Sequence, residues 1–267
     1  MELNQLILFS TFVFGTIIGS FLNVVTYRFN TGRGLWGRSS CFSCKKVLSW
    51  YELVPVLSYI FQKGRCLSCK SKFSWQYPLV EFLTGVVFAS IVWKFLSVEI
   101  FLSNTLSNII LISYLVVFSV LIVIAVYDLK HTIIPNFFVY LFAILSLLIY
   151  LGDVMGLVPN QLFAFSLNDL WAPFVLFIFF GGLWLVSKGT WMGFGDAKLS
   201  IGIGFLLGWK GSLIAFLVSF WVGAIVGILL LSLPRRSFTM KSEVPFGPFL
   251  VLGTFLSFLI NPHYIFF

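Results

Sequence analysis

Long apolar runs separated by short polar segments dominate the chain. A run of about 20 apolar residues is long enough to cross the ~30 Å hydrocarbon core of a bilayer as a helix. The weakest run has only 13 residues, which rise about 20 Å, so it is expected to be short, tilted or re-entrant. The pattern predicts an all-α polytopic membrane protein with about eight transmembrane helices, over residues 5–27, 78–97, 106–127, 136–152, 171–187, 197–209 (the weakest), 211–232 and 246–260.

Composition supports this class. Hydrophobic residues make up 60% of the chain and charged residues only 10%, against about 25% charged in soluble domains. The mean hydropathy is +1.04, and the polar remainder is too small for a large soluble domain. We expect no cleavable signal peptide, because the first apolar run lacks a basic flank before it and is followed by Arg28 instead of a small-residue cleavage site.

Basic residues predict the orientation. The polar segment 28–72 holds nine of the 17 Lys and Arg residues against one acid, Glu52. Short loops rich in Lys and Arg stay in the cytoplasm, so this loop is predicted to be cytoplasmic and the N-terminus to be outside. This topology accounts for most of the charge, and no nucleic-acid partner is expected. The nine residues are Arg28, Arg33, Arg38, Lys45, Lys46, Lys63, Arg65, Lys70 and Lys72.

Counting spans onward from this loop places the later polar segments. The turns at 128–135 and 188–196 and the loop at 233–245 fall inside, and the loop at 153–170 falls outside. The basic residues Arg235, Arg236 and Lys241 agree with this count.

All four cysteines lie in the cytoplasmic loop, as CFSC and CLSC motifs separated by 21 residues. Paired CxxC motifs at this spacing are typical of a tetrahedral zinc site with four thiolate ligands. Cytoplasmic thiols are kept reduced, so disulfides are the poorer interpretation unless the topology is inverted. We predict a structural Zn²⁺ with no open coordination position, bound by Cys41, Cys44, Cys66 and Cys69.

Two aspartates stand at the edges of long apolar segments, Asp128 in YDLKHTIIPN and Asp196 in MGFGDAKLS. A charge at membrane depth costs at least ~2.5 kcal/mol, so such acids are functional candidates by default. Two of them on one side of the membrane would suit aspartyl catalysis, although Asp196 alone could be a helix N-cap. The helix dipoles lead us to expect Asp196 as the ionised base and Asp128 as its protonated partner.

The ordered motifs resemble those of the type 4 prepilin peptidases, bacterial leader peptidases and N-methyltransferases of type IV pilins and type II secretion pseudopilins. The resemblance covers nearly the whole chain. It rests on GSFLNVVTYR (19–28), the two CxxC motifs with WYELVPVLSYI between them, YPLVEFLTG (77–85), the first aspartate with its IPN turn, GFGD followed by AKL, and VPFGPFLVLG (244–253).

The resemblance implies an inner-membrane enzyme that cuts the basic leader of a prepilin at the cytoplasmic face, just before a hydrophobic helix. Asp128 and Asp196 match the catalytic aspartates of the family. Bifunctional members also transfer a methyl group from S-adenosylmethionine to the new N-terminus, and the cysteine loop is associated with that form. A peptidase without methyltransferase activity is the alternative.

The implied domains follow the chain order. Residues 1–97 contain the first helices and the cysteine loop (28–77), associated with methyl transfer. Residues 98–232 form the aspartyl peptidase domain, and residues 233–267 a cytoplasmic loop and the last helix.

Some positions leave alternatives open. Asn136 stands where many relatives have Asp. Glu52 and Glu81 match acidic positions of the family and could meet the basic leader, or be solvated or paired within the loop. No Gly-rich Rossmann fingerprint occurs, so the cofactor-binding residues stay unassigned. Aromatic residues that could stack on the cofactor are Trp36, Trp50 and Tyr51.

Two other classes of protein are possible. A transporter could use paired intramembrane carboxylates, but it should show internal repeats and acids near the midplane. A membrane scaffold with a zinc loop would leave both costly aspartates unexplained.

Overall fold

The structure is a computed structural model, and it describes residues 2–32, 34–35, 37–97, 105–156, 165–232 and 244–260. The chain divides into two compact units, Met1–Leu96 and Ser97–Phe267. Within the described ranges the regular elements are all helical, with only two isolated β-bridges. The predicted all-α membrane fold is therefore confirmed.

The first unit is built on two long helices, α1 (Glu2–Arg28) and α3 (Gln76–Ser97). They pack through small residues: a Cβ added to Gly15 would lie 2.8 Å from the Gly85 Cα, and one added to Gly19 would lie 2.7 Å from the Glu81 Cα. Small residues let helix backbones approach closely where lipid replaces water. The polar loop between these helices contains a 3₁₀ turn, Trp50–Glu52, and a short helix α2, Leu57–Phe61.

The second unit contains five helices, α4 (Thr105–His131), α5 (Asn136–Val154), α6 (Trp171–Ser187), α7 (Phe194–Ser232) and α8 (Gly247–Leu259). Its core is filled by large side chains that are almost fully buried, and several helices contribute aromatic rings to it. Among them are Phe118, Phe142, Tyr150, Phe180 and Phe258.

Helix α7 reverses direction at Gly208, whose backbone is far from helical (φ 64°, ψ −169°). The Ser212 hydroxyl donates to the Ile203 carbonyl at 3.4 Å, although nine residues of straight helix would rise about 13.5 Å. The helix is therefore a hairpin of two arms. These arms correspond to the predicted runs 197–209 and 211–232, with the break placed at Gly208.

Six helices in the described part of the chain are long and apolar enough to span a membrane, and α8 is a shorter apolar helix. Since α7 holds two of the predicted runs, the eight runs all fall on helices, while the number of true spans stays a prediction. Helix α2 was not predicted. Arg33, Trp36, Arg235, Arg236 and Lys241 lie outside the described residues.

Candidate active site and metal centre

Asp128 occupies the last turn of α4, where it is 4% exposed. The helix closes just after it, because Thr132 adopts a positive φ of 53° and donates its N–H to the Asp128 carbonyl at 2.7 Å. The Asp128 side chain accepts a hydrogen bond at Oδ2 from the Gly247 N–H at 3.1 Å. Gly247 is the first residue of α8, so the N-terminus of one helix faces the carboxylate at the C-terminus of another.

Asp196 lies in the first turn of α7 and is 5% exposed. Its N–H donates to the Gly193 carbonyl at 3.2 Å. Its Oδ1 atom is buried and has no hydrogen-bond partner among the residues that the structure describes. A buried carboxylate oxygen without a donor is costly, which suits an atom that accepts from water or substrate.

Ile134 lies between the two acidic turns. A Cβ on Gly195 would lie 2.8 Å from the Ile134 Cβ, and one on Gly247 would lie 3.3 Å from the Ile134 Cδ1 and 2.6 Å from Asp128 Oδ2. Both aspartates therefore meet at one end of the second unit, near enough for their charges to interact. The glycine of the GFGD motif that precedes Asp196 is required for close approach, since any side chain would collide with Ile134.

A polar contact flanks this end of the unit. The Lys198 ammonium donates to Asn136 Oδ1 at 2.7 Å and lies 5.0 Å from the centre of the Phe194 ring. Asn136 is thus an acceptor for a lysine next to the GFGD motif.

The Gly247 N–H is the functional group that sequence reasoning missed. The motif VPFGPFLVLG carries part of the family resemblance, but nothing in its sequence indicates that its glycine faces Asp128. A helix N-terminus stabilises negative charge and offsets the unfavourable position of Asp128 at the end of α4. The assignment of Asp196 as base and Asp128 as acid stays a prediction.

In the first unit, the four cysteines come together. Their sulfur atoms all lie within 4.8 Å of one another, and Cys41 Sγ is 3.7 Å from Cys69 Sγ. Tetrahedral zinc with Zn–S bonds of ~2.3 Å requires sulfur atoms about 3.8 Å apart. The donor set and its spacing therefore fit a metal ion with four thiolate ligands.

The two CxxC segments have the same local structure. Each is closed by a β-bridge, Ser40 to Val47 and Arg65 to Lys72, and the residue after the second cysteine, Lys45 or Lys70, has a positive φ near 60°. In each segment this lysine donates its N–H to the carbonyl of the first cysteine. The segments are thus two copies of one turn.

Hydrogen bonds prepare the buried thiol of Cys41 for metal binding. The Cys44 N–H and the Ser71 hydroxyl lower the pKa of Cys41 to about 6. The Lys46 N–H lowers the pKa of Cys44, but desolvation and the neighbouring thiols outweigh it and raise that pKa to about 11. Metals bind the thiolate form of cysteine, so these hydrogen bonds favour coordination at Cys41 and not at Cys44.

The remaining candidates have different surroundings. Glu52 is paired with Lys46 at 3.4 Å and accepts the Ser49 N–H at 2.9 Å, which agrees with the paired alternative. Glu81 is buried and accepts the Val56 N–H at 2.7 Å. Trp50 and Tyr51 are 80% and 52% exposed, so neither ring is enclosed in a binding site.

Comparison with known proteins adds to this geometry. The bacterial peptidase A24 N-terminal domain matches residues 13–95, which contain all four cysteines. The type IV leader peptidase family matches residues 115–228, which contain both aspartates. No solved structure matched the chain.

Three relatives are each called prepilin leader peptidase/N-methyltransferase. The protein from Bacillus subtilis is 32% identical over 93% of this chain and 92% of its own. The one from Myxococcus xanthus is 34% identical over 85% of this chain and 64% of its own, and the one from Dickeya chrysanthemi is 27% identical over 95% and 93%. With two buried aspartates in one matched segment and a four-cysteine cluster in the other, this chain belongs to the type IV leader peptidase family.

Proposed function

We propose that this protein is an aspartic endopeptidase that removes the leader of type IV prepilin-like proteins, with Asp128 and Asp196 as its catalytic residues. The observation that carries the proposal is the meeting of two buried carboxylates, from the ends of α4 and α7, beside Ile134. The names of the relatives supply the substrate class.

The chemistry needs one proton shared by the two carboxyl groups. The ionised carboxylate takes a proton from water, whose oxygen attacks the scissile carbonyl carbon, while the protonated partner donates to the carbonyl oxygen. When the tetrahedral adduct collapses, the C–N bond breaks and a proton passes to the leaving amine. The pair ends with one proton, as it began.

Two features of the site support this mechanism. Asp196 Oδ1, which has no described partner, is an acceptor for the attacking water or for the substrate. The Gly247 N–H steadies the charge and orientation of Asp128. A prepositioned donor costs no reorganisation during the reaction.

The substrate enters laterally from the bilayer in this proposal. A prepilin stays in the membrane through its hydrophobic N-terminal helix, so burial of that helix supplies most of the anchoring and the catalytic pair recognises a short leader. The catalytic end faces the cytoplasm, as the count of apolar runs from the basic loop predicts. Both carboxylates lie at helix ends, which does not favour the transporter alternative.

Methyl transfer to the new N-terminus is the second proposed activity, carried by the first unit. It is supported by the names of the relatives and by the match of residues 13–95 to the N-terminal domain of the family. S-adenosylmethionine is the implied methyl donor. The metal is Zn²⁺ in this proposal, with a structural role, because four thiolates leave no open position.

Co-expression with a prepilin tests both activities. In Asp128→Asn and Asp196→Asn, cleavage should fall on the order of 10³-fold or more, since neither amide can complete the proton cycle. Asp169→Asn is the matched control. It makes the same chemical change at a carboxylate in the 3₁₀ turn Leu167–Leu170, which precedes α6. Wild-type product heavier by one methyl group would support methyl transfer. Normal cleavage in either aspartate variant would remove that residue from the mechanism.

A further inference from the structure

The first unit contains a cavity of about 500 Å³, distinct from the cysteine cluster. The end of α1, the start of α3 and the polar loop line it, and its wall includes Asn23, Tyr27, Glu52, Tyr77 and Glu81. Small-molecule sites are typically ~300–1,000 Å³, mostly apolar with a few polar groups. The size and the mixed wall are those of a ligand site.

Asn23 gives the clearest sign of a missing partner. It is 2% exposed, and its Nδ2 donates to the Tyr77 carbonyl at 3.2 Å. Its Oδ1 is buried with no hydrogen-bond partner in the described part of the chain. Buried polar atoms are nearly always paired, so a ligand that offers an N–H or O–H donor would satisfy this oxygen.

Glu81 is held in place by an unusual turn. Val56 has φ 60° and ψ −52°, and the Leu57 N–H donates to the Pro55 carbonyl at 2.6 Å, which together define a classic γ-turn. This conformation is strained, above all for a β-branched residue. The Val56 N–H donates to the buried Glu81 side chain at 2.7 Å. Strain of this kind persists where the surroundings fix it, often at ligand sites.

The wall of the cavity carries charged groups of both signs. Two acidic side chains, Glu52 and Glu81, and one guanidinium, Arg28, line it. The Ser49 N–H lowers the pKa of the Glu52 carboxyl, and Lys46 offsets part of its charge. Arg28 donates to the carbonyls of Gly34 and Leu35. A ligand that carries both cationic and anionic groups suits this set.

The aromatic side chains add a planar surface. Tyr27 and Tyr77 are stacked, with ring centres 5.2 Å apart and an angle of 8°, and Phe42 lies 5.9 Å from Tyr27. Faces of this kind bind nucleobases by stacking and attract cations. Because Tyr27 and Tyr77 cover one face of each other, a flat heterocycle or a cationic centre would contact an outer ring face of this cluster.

We propose that this cavity is the binding site for S-adenosylmethionine, with Asn23, Tyr27, Tyr77 and Glu81 among its recognition residues. The inference rests on the proposed methyltransferase function. The cofactor has hydroxyl and amino donors, an adenine ring, a sulfonium, and an ammonium beside a carboxylate, so each feature of the wall has a counterpart. When bound it supplies a methyl group: the lone pair of the substrate amine forms the N–C bond, the S–C electron pair stays on sulfur, and the amine proton goes to solvent.

Binding of tritiated S-adenosylmethionine to the purified full-length protein by equilibrium dialysis tests the site. In Asn23→Leu and Glu81→Gln we expect at least about a tenfold loss of affinity, because each change removes one recognised group in a side chain of similar size. Glu81→Gln retains an oxygen for the Val56 N–H. Trp50→Leu, an exposed aromatic outside the cavity, is the matched control and should bind within about twofold of wild type.

A second readout does not require variants. Ultraviolet crosslinking of tritiated S-adenosylmethionine to the wild type, followed by peptide mapping, should label peptides spanning 20–31 and 73–81, and S-adenosylhomocysteine should suppress the label. Labelling only elsewhere would overturn the proposed site, as would normal affinity in both variants. Prepilin cleavage and metal content, measured on the same samples, report whether each variant is folded.

Failure of the site and failure of the proposed function are distinguishable. A wild type that methylates prepilin while both variants bind normally would overturn the cavity assignment alone. A wild type that cleaves prepilin but neither binds the cofactor nor methylates would overturn the methyltransferase function together with the site.

Discussion

The cysteine cluster and the aspartate pair are built in opposite ways. Each CxxC segment is shaped by its own turn, with a β-bridge and a lysine of positive φ, so its two thiols are positioned by the eight consecutive residues 40–47 or 65–72. The aspartates come from helices far apart in the sequence and meet only because Ile134 and Gly247 pack between and beside them. One site is made by local structure, and the other by the packing of a whole unit.

Burial shows why the two regions differ. The cysteine loop exposes large apolar side chains, among them Phe61 (81%) and Trp75 (77%), and so has little core of its own. The second unit buries whole aromatic rings such as Phe142 and Phe180. Small regions without sufficient core commonly depend on a metal, whereas packed helices do not. A metal ion bound by the four cysteines would therefore stand in for a core in the loop.

The largest expected effect is the loss of metal when one cysteine of the cluster is replaced. Cys66 is fully buried, and Cys66→Ser should lower the metal content of the purified protein from about one zinc per chain to nearly none, because structural zinc contributes roughly 10–16 kcal/mol in small domains. Methyl transfer should be lost with the loop structure. Cleavage should stay within about threefold, since the aspartates belong to another unit.

Ser68→Ala is the matched control for this experiment, an exposed residue between Cys66 and Cys69. It should retain its metal and both activities. Full zinc content in Cys66→Ser would contradict the four-thiolate site, and loss of cleavage would contradict the independence of the two sites.

At the aspartate site, we expect the largest loss of activity from a substitution at Gly247 that leaves both carboxylates in place. In Gly247→Ala the new methyl group would lie 2.6 Å from Asp128 Oδ2, so the carboxylate must move away from its donor. We expect the kcat of cleavage to fall about 100-fold, the effect typical of a misplaced catalytic group. Gly227→Ala, where nothing lies within 4 Å of the new Cβ, should leave kcat unchanged. Equal kcat in both variants would show that the Gly247 contact does not position Asp128.

The same contrast explains what the sequence could predict. The four-cysteine cluster follows from the spacing of the two motifs, and the aspartates stand out because a carboxylate is rare beside apolar runs. That the two aspartates would act as a pair on one side of the membrane was expected from the count of apolar runs. The Gly247 donor and the γ-turn at Val56 could not be predicted, because each depends on a contact with a residue distant in the chain. The sequence predicted two apolar runs where the structure has the two arms of α7. It did not predict that the chain reverses at Gly208, because the reversal depends on the backbone conformation of that residue.

A smaller effect is expected from Gly208, which lies at the tip of the α7 hairpin, a full arm away from Asp196 along the chain. Its φ of 64° with ψ −169° belongs to a region that is essentially confined to glycine. Gly208→Ala should reduce the free energy of unfolding by about 1–3 kcal/mol, and its Cβ would also lie 3.0 Å from the Phe165 ring. Thermal unfolding in detergent, compared with Gly182→Ala in α6, measures this. No loss of stability would mean that the reversal does not need glycine.

The smallest effect is expected at Asp169, which holds the same hairpin tip through hydrogen bonds. Its Oδ1 accepts the Trp209 N–H at 2.9 Å, and its Oδ2 accepts the Ser166 N–H at 2.8 Å. Asp169→Asn keeps only one acceptor oxygen, but the site is partly exposed and water can replace the lost partner, so we expect a loss of about 1 kcal/mol. Asn168→Ala, an exposed neighbour, should have no measurable effect.

The double variant Gly208→Ala with Asp169→Asn tests whether the tip of the α7 hairpin and the aspartate site form one packed assembly. Because Gly208 and Asp169 act on the same turn, the double variant should lose less stability than the two single losses added together. The kcat of cleavage at saturating prepilin should stay at the wild-type value while the protein is folded. Strictly additive losses would mean that the two residues act independently. A fall in kcat would mean that the hairpin tip also sets the geometry of Asp196. In that case packing would control the chemistry of this unit as well as its stability.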